Sequence, residues 1–146
     1  MTMRLVFRIL LIEDNADRVE LFRSWVPAGV HIVWTKSAGS SIGVIRRDPG
    51  YVYGGILLDH DLQEQTITQA DKGLSGTNVV IEIITHFSPD IPVLVHSTNP
   101  VQGPQMAKKL EQAGFWVSRI PMHYLEKENF TEWLQEAREL WEDSQA

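Results

Sequence analysis

The sequence predicts an α/β protein built on a doubly wound parallel sheet. Two observations lead to this fold class: short apolar runs alternate with amphipathic stretches along the whole chain, and the runs are largely continuous instead of alternating with polar residues. Strands that helices cover on both faces have this pattern. Because crossovers between parallel strands are almost always right-handed, an open sheet with helices on both faces results. The 146 residues suit one domain, which we expect to span 1–146 without a separate output domain.

The five apolar runs are the predicted strands. They lie at residues 8–12, 30–34, 55–59, 92–96 and 115–120. The first and fourth, "RILLI" and "PVLVH", are short apolar runs followed directly by polar residues, as expected for buried strands. The third, "GILLD", stops abruptly at Asp59-His60-Asp61. A buried strand therefore carries two carboxylates and an imidazole at its tip.

Three amphipathic stretches in the first part of the chain are predicted helices. The first follows an N-cap at Asp14 or Asn15, the second covers residues 37–47 and the third covers residues 77–87. The first helix places Val19, Phe22 and Val26 at near-helical spacing, and the second ends at the turn Asp48-Pro49-Gly50. The third is rich in β-branched residues, but its length, its capping threonine and the Ser-Pro pair that follows favour a helix.

Two further helices complete the predicted pattern. One runs from Gln105 to Ala113 and is closed by Gly114, a residue suited to a helix C-terminus. The last begins near Asn129 and carries an apolar stripe that includes Trp133 and Trp141. Because both tryptophans follow the helical spacing of the stripe, we expect them to pack in the core.

The composition excludes several classes of function. A net charge of −6 argues against a broad basic face, so we expect no direct nucleic-acid partner. The absence of cysteine excludes disulfides and thiolate metal sites. No apolar stretch reaches the roughly 20 residues that a membrane span needs, and Arg4 and Arg8 interrupt the N-terminal run. These features predict a cytoplasmic protein with no membrane partner.

Ionisable and hydroxyl side chains gather where the predicted central strands end. They are Glu13, Asp14, Asp59, His60, Asp61, His96, Ser97, Thr98 and Asn99. Taken singly, each group has an ordinary interpretation as a helix cap, a loop residue, a core histidine or a turn. Open parallel sheets, however, place their sites at the carboxyl ends of strands. The coincidence of all three groups at equivalent strand ends favours a functional site.

The residue types at these strand ends favour a divalent cation. If Glu13, Asp14 and Asp59 converge, the three carboxylates either keep protons with raised pKa values or bind a cation. An acidic site without cysteine suits Mg²⁺, Ca²⁺ or Mn²⁺, and Mg²⁺ is favoured where phosphate is handled. Nearby histidines would also admit Mn²⁺ or Zn²⁺.

Three segments together resemble the receiver domain of two-component response regulators. They are "ILLIEDN", "ILLDHDL" and "VLVHST", and the resemblance extends over nearly the whole chain. It implies a flavodoxin-like, or CheY-like, three-layer sandwich whose five-stranded parallel sheet has the order 2-1-3-4-5. It also implies phosphorelay signalling, with a histidine kinase or phosphotransfer protein and a separate output protein as partners.

The receiver resemblance also implies residue roles. Asp59 matches the phosphoacceptor, and Ser97, with Thr98 beside it, matches the hydroxyl position that contacts phosphate. Gly76 resembles the glycine that follows the phosphoacceptor loop. Mg²⁺, with Mn²⁺ as the alternative, would be held by the residues that match the metal ligands: Glu13, Asp14, Asp59 and, through its backbone carbonyl, Asp61.

Three features depart from an ordinary receiver. Receivers end their fifth strand in Lys-Pro, whereas Ile120 precedes Pro121 here, so Arg119 replaces the lysine only if the strand register shifts by one. The polar segment 63–73 is longer than usual and is expected to be a flap beside the site or a surface loop. His60 and His96 add two imidazoles that receivers usually lack.

These departures resemble a receiver-derived subgroup, the cyclic-phosphate-processing receiver domains. The features that carry this resemblance are "LDHDL" (58–62) and "HSTN" (96–99). It implies a metal-dependent phosphodiester chemistry in which His60 or His96 is the general acid or base. Asp59 would then be a metal ligand, and Asn99 would orient the loop or donate to phosphate.

A third interpretation requires no chemistry. Trp116, Tyr124 and the last helix lie where receivers present their signalling face. The chain could therefore be a pseudo-receiver that binds partners there, and this C-terminal face would also suit a homodimer.

Overall fold

The computed structural model describes residues 6–49, 52–62 and 73–145, and these form a five-stranded parallel sheet between two layers of helices. The sheet order is β2-β1-β3-β4-β5, which confirms the predicted order. The strands are β1 (Phe7–Ile12), β2 (Val30–Thr35), β3 (Tyr53–Leu58), β4 (Val93–Val95) and β5 (Val117–Arg119). The helices are α1 (Ala16–Trp25), α2 (Ala38–Arg47), α3 (Gly76–His86), α4 (Gln102–Gln112) and α5 (Lys127–Gln145), with a 3₁₀ turn at Met122–Tyr124.

The two faces of the sheet bury separate cores because successive residues of a strand point to opposite faces. On one face, Ile12 and Leu58 pack against α2, α3 and α4. On the other face, Leu11 and Leu57 pack against α1 and α5. The second core contains Trp133 and is flanked by Trp141, as predicted from the apolar stripe of the last helix.

Several element ends differ from the predicted ones. Strands β4 and β5 have three residues each, shorter than predicted. Helix α4 begins at Gln102 instead of Gln105 and takes Pro104 into its first turn, where a missing backbone N–H breaks no helical hydrogen bond. Val26 is the C-cap of α1 and not a residue within it. The sequence pattern therefore predicted that these strands and helices exist, but not the residues at which they begin and end.

Residues 63–72 of the segment predicted to be a flap or a surface loop lie outside the described residues, as does Gly50 of the predicted turn. Among the helices of the described ranges, none combines the length and apolarity that crossing a membrane requires.

The register of the central strands determines which residues lie side by side at their carboxyl ends. Ile12 pairs with Leu58, and Leu58 pairs with Val95. The ladder continues one residue further, because the Asp59 N–H donates to the Ile12 carbonyl (3.1 Å) and the His96 N–H donates to the Leu58 carbonyl (3.0 Å). The residues that follow the three strands are therefore aligned side by side.

Candidate functional site

Glu13, Asp59 and His96 form a row across the carboxyl ends of β1, β3 and β4. Each lies two residues beyond a leucine of the core beneath α1 and α5, so all three side chains point to that face of the sheet. Glu13 and His96 are 0% exposed and Asp59 is 2% exposed. The short apolar strands thus deliver three chemical groups into one buried layer, which we call the buried row.

Hydrogen bonds fix the Glu13 side chain at both oxygens. Oε1 lies 2.9 Å from His96 Nε2. Oε2 accepts from the backbone N–H groups of Asp14 (3.0 Å) and Asn15 (3.2 Å). The Glu13 carbonyl accepts from the indole N–H of Trp34 at 2.6 Å. Of the acidic pair that follows β1, Glu13 is the residue that contacts His96, while Asp14 is buried at the start of α1.

Asp59 is held by its own loop and by a cation from α1. Its Oδ1 accepts from the His60 backbone N–H at 2.8 Å. Its Oδ2 lies 3.6 Å from Nη1 of Arg18, and the same nitrogen lies 3.6 Å from Glu13 Oε1. The sequence analysis did not single out Arg18. Its signal was position, because a residue in the first turn of the helix that starts beside the acidic pair can turn back over that pair.

Burial shifts the protonation of the row toward its neutral forms. Desolvation raises the pKa of Glu13 and the pKa of Asp59 to about 7. Desolvation also lowers the pKa of His96 to about 4, so its imidazole is neutral near pH 7. Two carboxylates that share one apolar layer hold protons readily, or exchange them for a metal ion.

The donor set fits a divalent cation. One ligand atom from each of Glu13, Asp59 and His96 lies within 4.8 Å of the other two. Among the described residues, no other group of three acidic or histidine side chains has this geometry. Two carboxylates and a neutral imidazole suit Mg²⁺ and admit Mn²⁺. The His96 Nδ1 atom is buried without a hydrogen-bond partner among the described residues, and the ring packs edge-on against Phe22. His96 is thus oriented by packing, with Nε2 as its only nitrogen directed at the acids.

His60 points away from the buried row. Its Nδ1 lies 2.8 Å from Asp61 Oδ1, and the Asn99 side-chain amide lies 3.5 Å from the same oxygen. The His60 side chain is 13% exposed and that of Asp61 is 65% exposed. These three residues form a rim at the solvent edge, joining the "LDHDL" and "HSTN" segments. Of the two predicted histidines, His96 enters the acidic cluster and His60 does not.

The loop after β4 is organised by short-range hydrogen bonds. The buried Ser97 accepts from the Asn99 N–H at 3.1 Å. Asn99 Oδ1 accepts from the N–H groups of Val101 (3.1 Å) and Gln102 (2.9 Å), and so caps α4. Thr98 is exposed. Ser97 is therefore the inward hydroxyl of the predicted pair.

Gly76 lets α3 begin directly against the Asp59 loop. A Cβ at this position would lie 2.5 Å from the Asp59 carbonyl oxygen and 2.6 Å from the His60 Cα. The Gly76 N–H donates to the His60 carbonyl at 2.8 Å. The loop and the helix are thus packed backbone to backbone, which only glycine permits.

Arg119 lies on the other face of the sheet. It pairs with Val95 and the ladder continues without a shift at Ile120, whose N–H donates to the Val95 carbonyl. The exposed Arg119 side chain crosses α4, with Nε 3.3 Å from where a Cβ on Gly103 would stand. Because it shares the face of its ladder partner Val95, Arg119 lies on the side of the sheet that holds α4 and not at the buried row.

The sequence of residues 8–112, more than two thirds of the chain, matches the family model of the cyclic-phosphate processing receiver domain. The chain belongs to this family. The match includes the buried row, the rim and the cap of α4. No curated protein matches the sequence of this receiver significantly.

Solved structures of other receivers share the fold. The signal receiver domain of a protein assigned as a Luxo repressor in Vibrio parahaemolyticus is 19% identical, with 97% of this chain and 96% of that chain covered and a TM-score of 0.69. A CheY-like receiver domain from Methanospirillum hungatei is 14% identical, with coverages of 95% and 98% and a TM-score of 0.70. The receiver domain of sensor histidine kinase PA1611 from Pseudomonas aeruginosa is 19% identical, with coverages of 90% and 96% and a TM-score of 0.63; that structure holds a magnesium ion in its active-site cleft. At these identities the likeness shows the flavodoxin-like fold of this receiver.

Proposed function

We propose that this receiver binds one divalent cation at the buried row and accepts a phosphoryl group on Asp59. The observation that carries the proposal is the register of Glu13, Asp59 and His96, which places two carboxylates and a neutral imidazole within 4.8 Å of one another. Mg²⁺ is the first candidate because carboxylate oxygens are its preferred ligands, and Mn²⁺ is the second because it also accepts an imidazole. Asp14 and the Asp61 carbonyl are proposed as further ligands.

The chemistry assigned to Asp59 is attack of a carboxylate oxygen on phosphorus. The new P–O bond forms as the bond from phosphorus to the donor's leaving atom breaks, an imidazole nitrogen in a phosphohistidine or an oxygen in acetyl phosphate, and that atom leaves with the electron pair. A bound divalent cation would neutralise charge on the phosphoryl oxygens. The His60 N–H holds Asp59 Oδ1 at 2.8 Å, which leaves Oδ2 as the nucleophilic oxygen. Ser97, and Thr98 at the loop surface, are proposed to sense the product.

Signalling partners follow from this chemistry. A histidine kinase or a phosphotransfer protein would supply the phosphoryl group, and a separate output protein would read the modified state. Exposed apolar residues lie at the ends of α4, β5 and the 3₁₀ turn, and Trp116 and Tyr124 are 39% and 67% exposed. This C-terminal face is the proposed surface for the output protein or for a homodimer.

Phosphoryl transfer is tested with acetyl phosphate and Mg²⁺. We expect an adduct of about 80 Da by intact mass spectrometry, absent without Mg²⁺ and absent in Asp59→Asn. Asp90→Asn is the matched control because Asp90 is an exposed aspartate outside the site. An adduct that persists in Asp59→Asn would refute the assignment of Asp59.

Cyclic-phosphate cleavage is a second candidate function, and the rim favours it. The 2.8 Å bond between Asp61 and His60 is the arrangement that orients a general base, and the family of this receiver is described by cyclic-phosphate processing. In this reaction His60 would take a proton from water as the water oxygen attacks phosphorus. The ring P–O bond would break, the leaving oxygen would take up a proton from solvent, and His60 would release its proton to solvent. The buried His96 would act as a ligand or as an orienting group, and Asn99 would orient the loop or donate to the phosphate.

The second candidate is tested with a 2′,3′-cyclic nucleotide and Mg²⁺ or Mn²⁺, with the monoester product followed by ³¹P NMR. We expect His60→Ala to reduce turnover about a hundredfold or more, and the exposed His123→Ala to leave turnover unchanged. Equal turnover in His60→Ala and the wild type would exclude the rim as the acid–base group. If neither an adduct nor turnover forms and Mg²⁺ does not bind, a pseudo-receiver that acts by partner binding is the remaining function.

A further inference from the structure

Among the described residues, Arg18 is the cation nearest to the carboxylate of Asp59. Its Nη1 atom lies 3.6 Å from Asp59 Oδ2 and 3.6 Å from Glu13 Oε1. Among the described residues, no other arginine or lysine forms an ion pair with an acid of the buried row. The Arg18 side chain is 33% exposed, whereas both acids are buried, so the guanidinium spans the boundary between the row and solvent.

The geometry of Arg18 differs from that of a closed structural ion pair. A charge-assisted N–H···O bond is about 2.7–2.9 Å long, and both contacts of Nη1 are longer than that. A single nitrogen, Nη1, lies between two carboxylates, whereas in a bidentate pair two nitrogens of the guanidinium would bind one carboxylate. The guanidinium carries five N–H donors in a planar fork, and a third of the Arg18 side chain is exposed to solvent.

Other cations near the row are directed elsewhere. Lys36 follows β2, but its ammonium lies over the Trp34 ring at 4.8 Å. Arg119 lies across Gly103 on the opposite face of the sheet. Ile120, which lies beside His96 in the register, has no charge to offer.

We propose that Arg18 is the anion-binding cation of this site, and that it contacts the phosphoryl or phosphodiester oxygens at Asp59. The inference rests on the proposed function. When a metal ion compensates the charge of Glu13 and Asp59, the attraction that holds Arg18 over the acids is lost. Its planar fork then faces the position of an anion bound at Asp59 Oδ2 and stabilises the charge on that anion.

The experiment separates metal binding from anion binding. Mg²⁺ affinity is measured by isothermal titration calorimetry. Beryllofluoride, a stable mimic of a phosphoryl group on a carboxylate, is then titrated in excess Mg²⁺. The readout is the ¹⁵N-labelled indole N–H of Trp34, which donates to the Glu13 carbonyl at 2.6 Å and therefore reports on the row.

We expect Arg18→Gln to bind Mg²⁺ at least as tightly as the wild type, because it loses a positive charge beside the metal site. We expect it to bind beryllofluoride about tenfold to a hundredfold more weakly. Arg18→Lys should recover part of this loss because it keeps the charge but not the fork. Arg23→Gln, on the exposed side of the same helix, should behave as the wild type.

Two results would overturn the assignment of Arg18: a wild-type anion affinity in a folded Arg18→Gln protein, or the same loss in Arg119→Gln while Arg18→Gln is unaffected. Both leave the proposed function intact, because the wild type would still bind metal and anion. Failure of the wild type to bind Mg²⁺ or beryllofluoride would instead refute the proposed function and this inference with it.

Discussion

The buried row and the rim are built from neighbouring residues but have opposite properties. Asp59 is 2% exposed and points into the core beneath α1, whereas the next two residues belong to the solvent edge. The cause is the end of β3: Asp59 still follows the strand's alternation, and its N–H still belongs to the ladder. His60 is beyond the ladder, so its side chain turns to Asp61.

The comparison of the two histidines shows that residue type alone does not define a role. His96 has a fully buried ring whose Nε2 faces Glu13, a carboxylate of the row that is proposed to bind the cation. His60 has a partly exposed ring oriented by a carboxylate, which suits proton transfer. The proposed cation ligand of "HSTN" and the proposed acid–base group of "LDHDL" would therefore have separate roles in one site.

The largest expected difference between the two regions is in metal binding. Asp59→Asn removes one of the two carboxylates of the buried row and should weaken Mg²⁺ binding about a hundredfold or more. Asp61→Asn keeps the backbone carbonyl and should change Mg²⁺ affinity about threefold or less, since its side chain is 65% exposed. Calorimetric titration of both variants measures the contrast, and equal losses in the two would show that the ion sits at the rim.

The next largest difference is in stability. His96→Ala removes a fully buried ring packed on Phe22 and leaves the Glu13 carboxyl without its partner, so the free energy of unfolding should fall by about 3 kcal/mol. His60→Ala should lower it by about 0.5 kcal/mol, as is usual for a side chain at the surface. Urea denaturation measures both values. A loss in His60→Ala as large as that in His96→Ala would contradict the division into buried row and rim.

The sequence predicted the fold well because its signals are periodic and local. Apolar runs, caps and turn residues indicated five strands and five helices, and the Trp133 stripe indicated the core side of the last helix. The ends of β4 and β5 were harder to predict from the sequence, because the length of a strand depends on its pairing with the neighbouring strand as well as on its own residues. The start of α4 was predicted three residues too late because Pro104 lies within the first turn of the helix and not before it.

The site could be predicted as a group of residues but not as an arrangement. The convergence of Glu13 and Asp59 followed from their places at strand ends. Which histidine points inward depends on the alignment of β1, β3 and β4 to a single residue, which no short motif encodes. Arg18 was missed because a helical side chain reaches the sheet only at one rotation of the helix, and that rotation is set by packing of α1.

A smaller effect is expected on the dependence of stability on pH. The folded-state pKa values of Glu13 and Asp59 are raised to about 7, so the native state holds protons that the unfolded state has released, and stability falls as pH rises from about 5 to 7. The pKa of His96 is lowered to about 4, which makes stability rise with pH between about 4 and 6.5. Two acids oppose one histidine, so the metal-free protein should lose up to about 1 kcal/mol per pH unit in this window.

The pH effect is measured by urea denaturation at several pH values in EDTA and again in excess Mg²⁺. Because metal binding requires ionised carboxylates, the stabilisation by Mg²⁺ should grow as pH rises through 7. Asp59→Asn and Glu13→Gln each remove one raised acid and should flatten the profile in EDTA. An unchanged profile in both variants would mean that the protons reside elsewhere, and the rim variant Asp61→Asn serves as the reference.

The smallest expected effect comes from the cap at the end of the rim. Asn99→Ala removes the acceptor for the N–H groups of Val101 and Gln102 and should lower the free energy of unfolding by about 1 kcal/mol. Thr98→Ala, at the exposed neighbour, should change it by less than about 0.5 kcal/mol. The 3.5 Å contact of Asn99 with Asp61 is too long to hold the rim, so the His60 ring signals in the NMR spectrum should remain in place. A shift of those signals in Asn99→Ala alone would show that Asn99 organises the rim as well as the helix, and would join the two motifs into one functional unit.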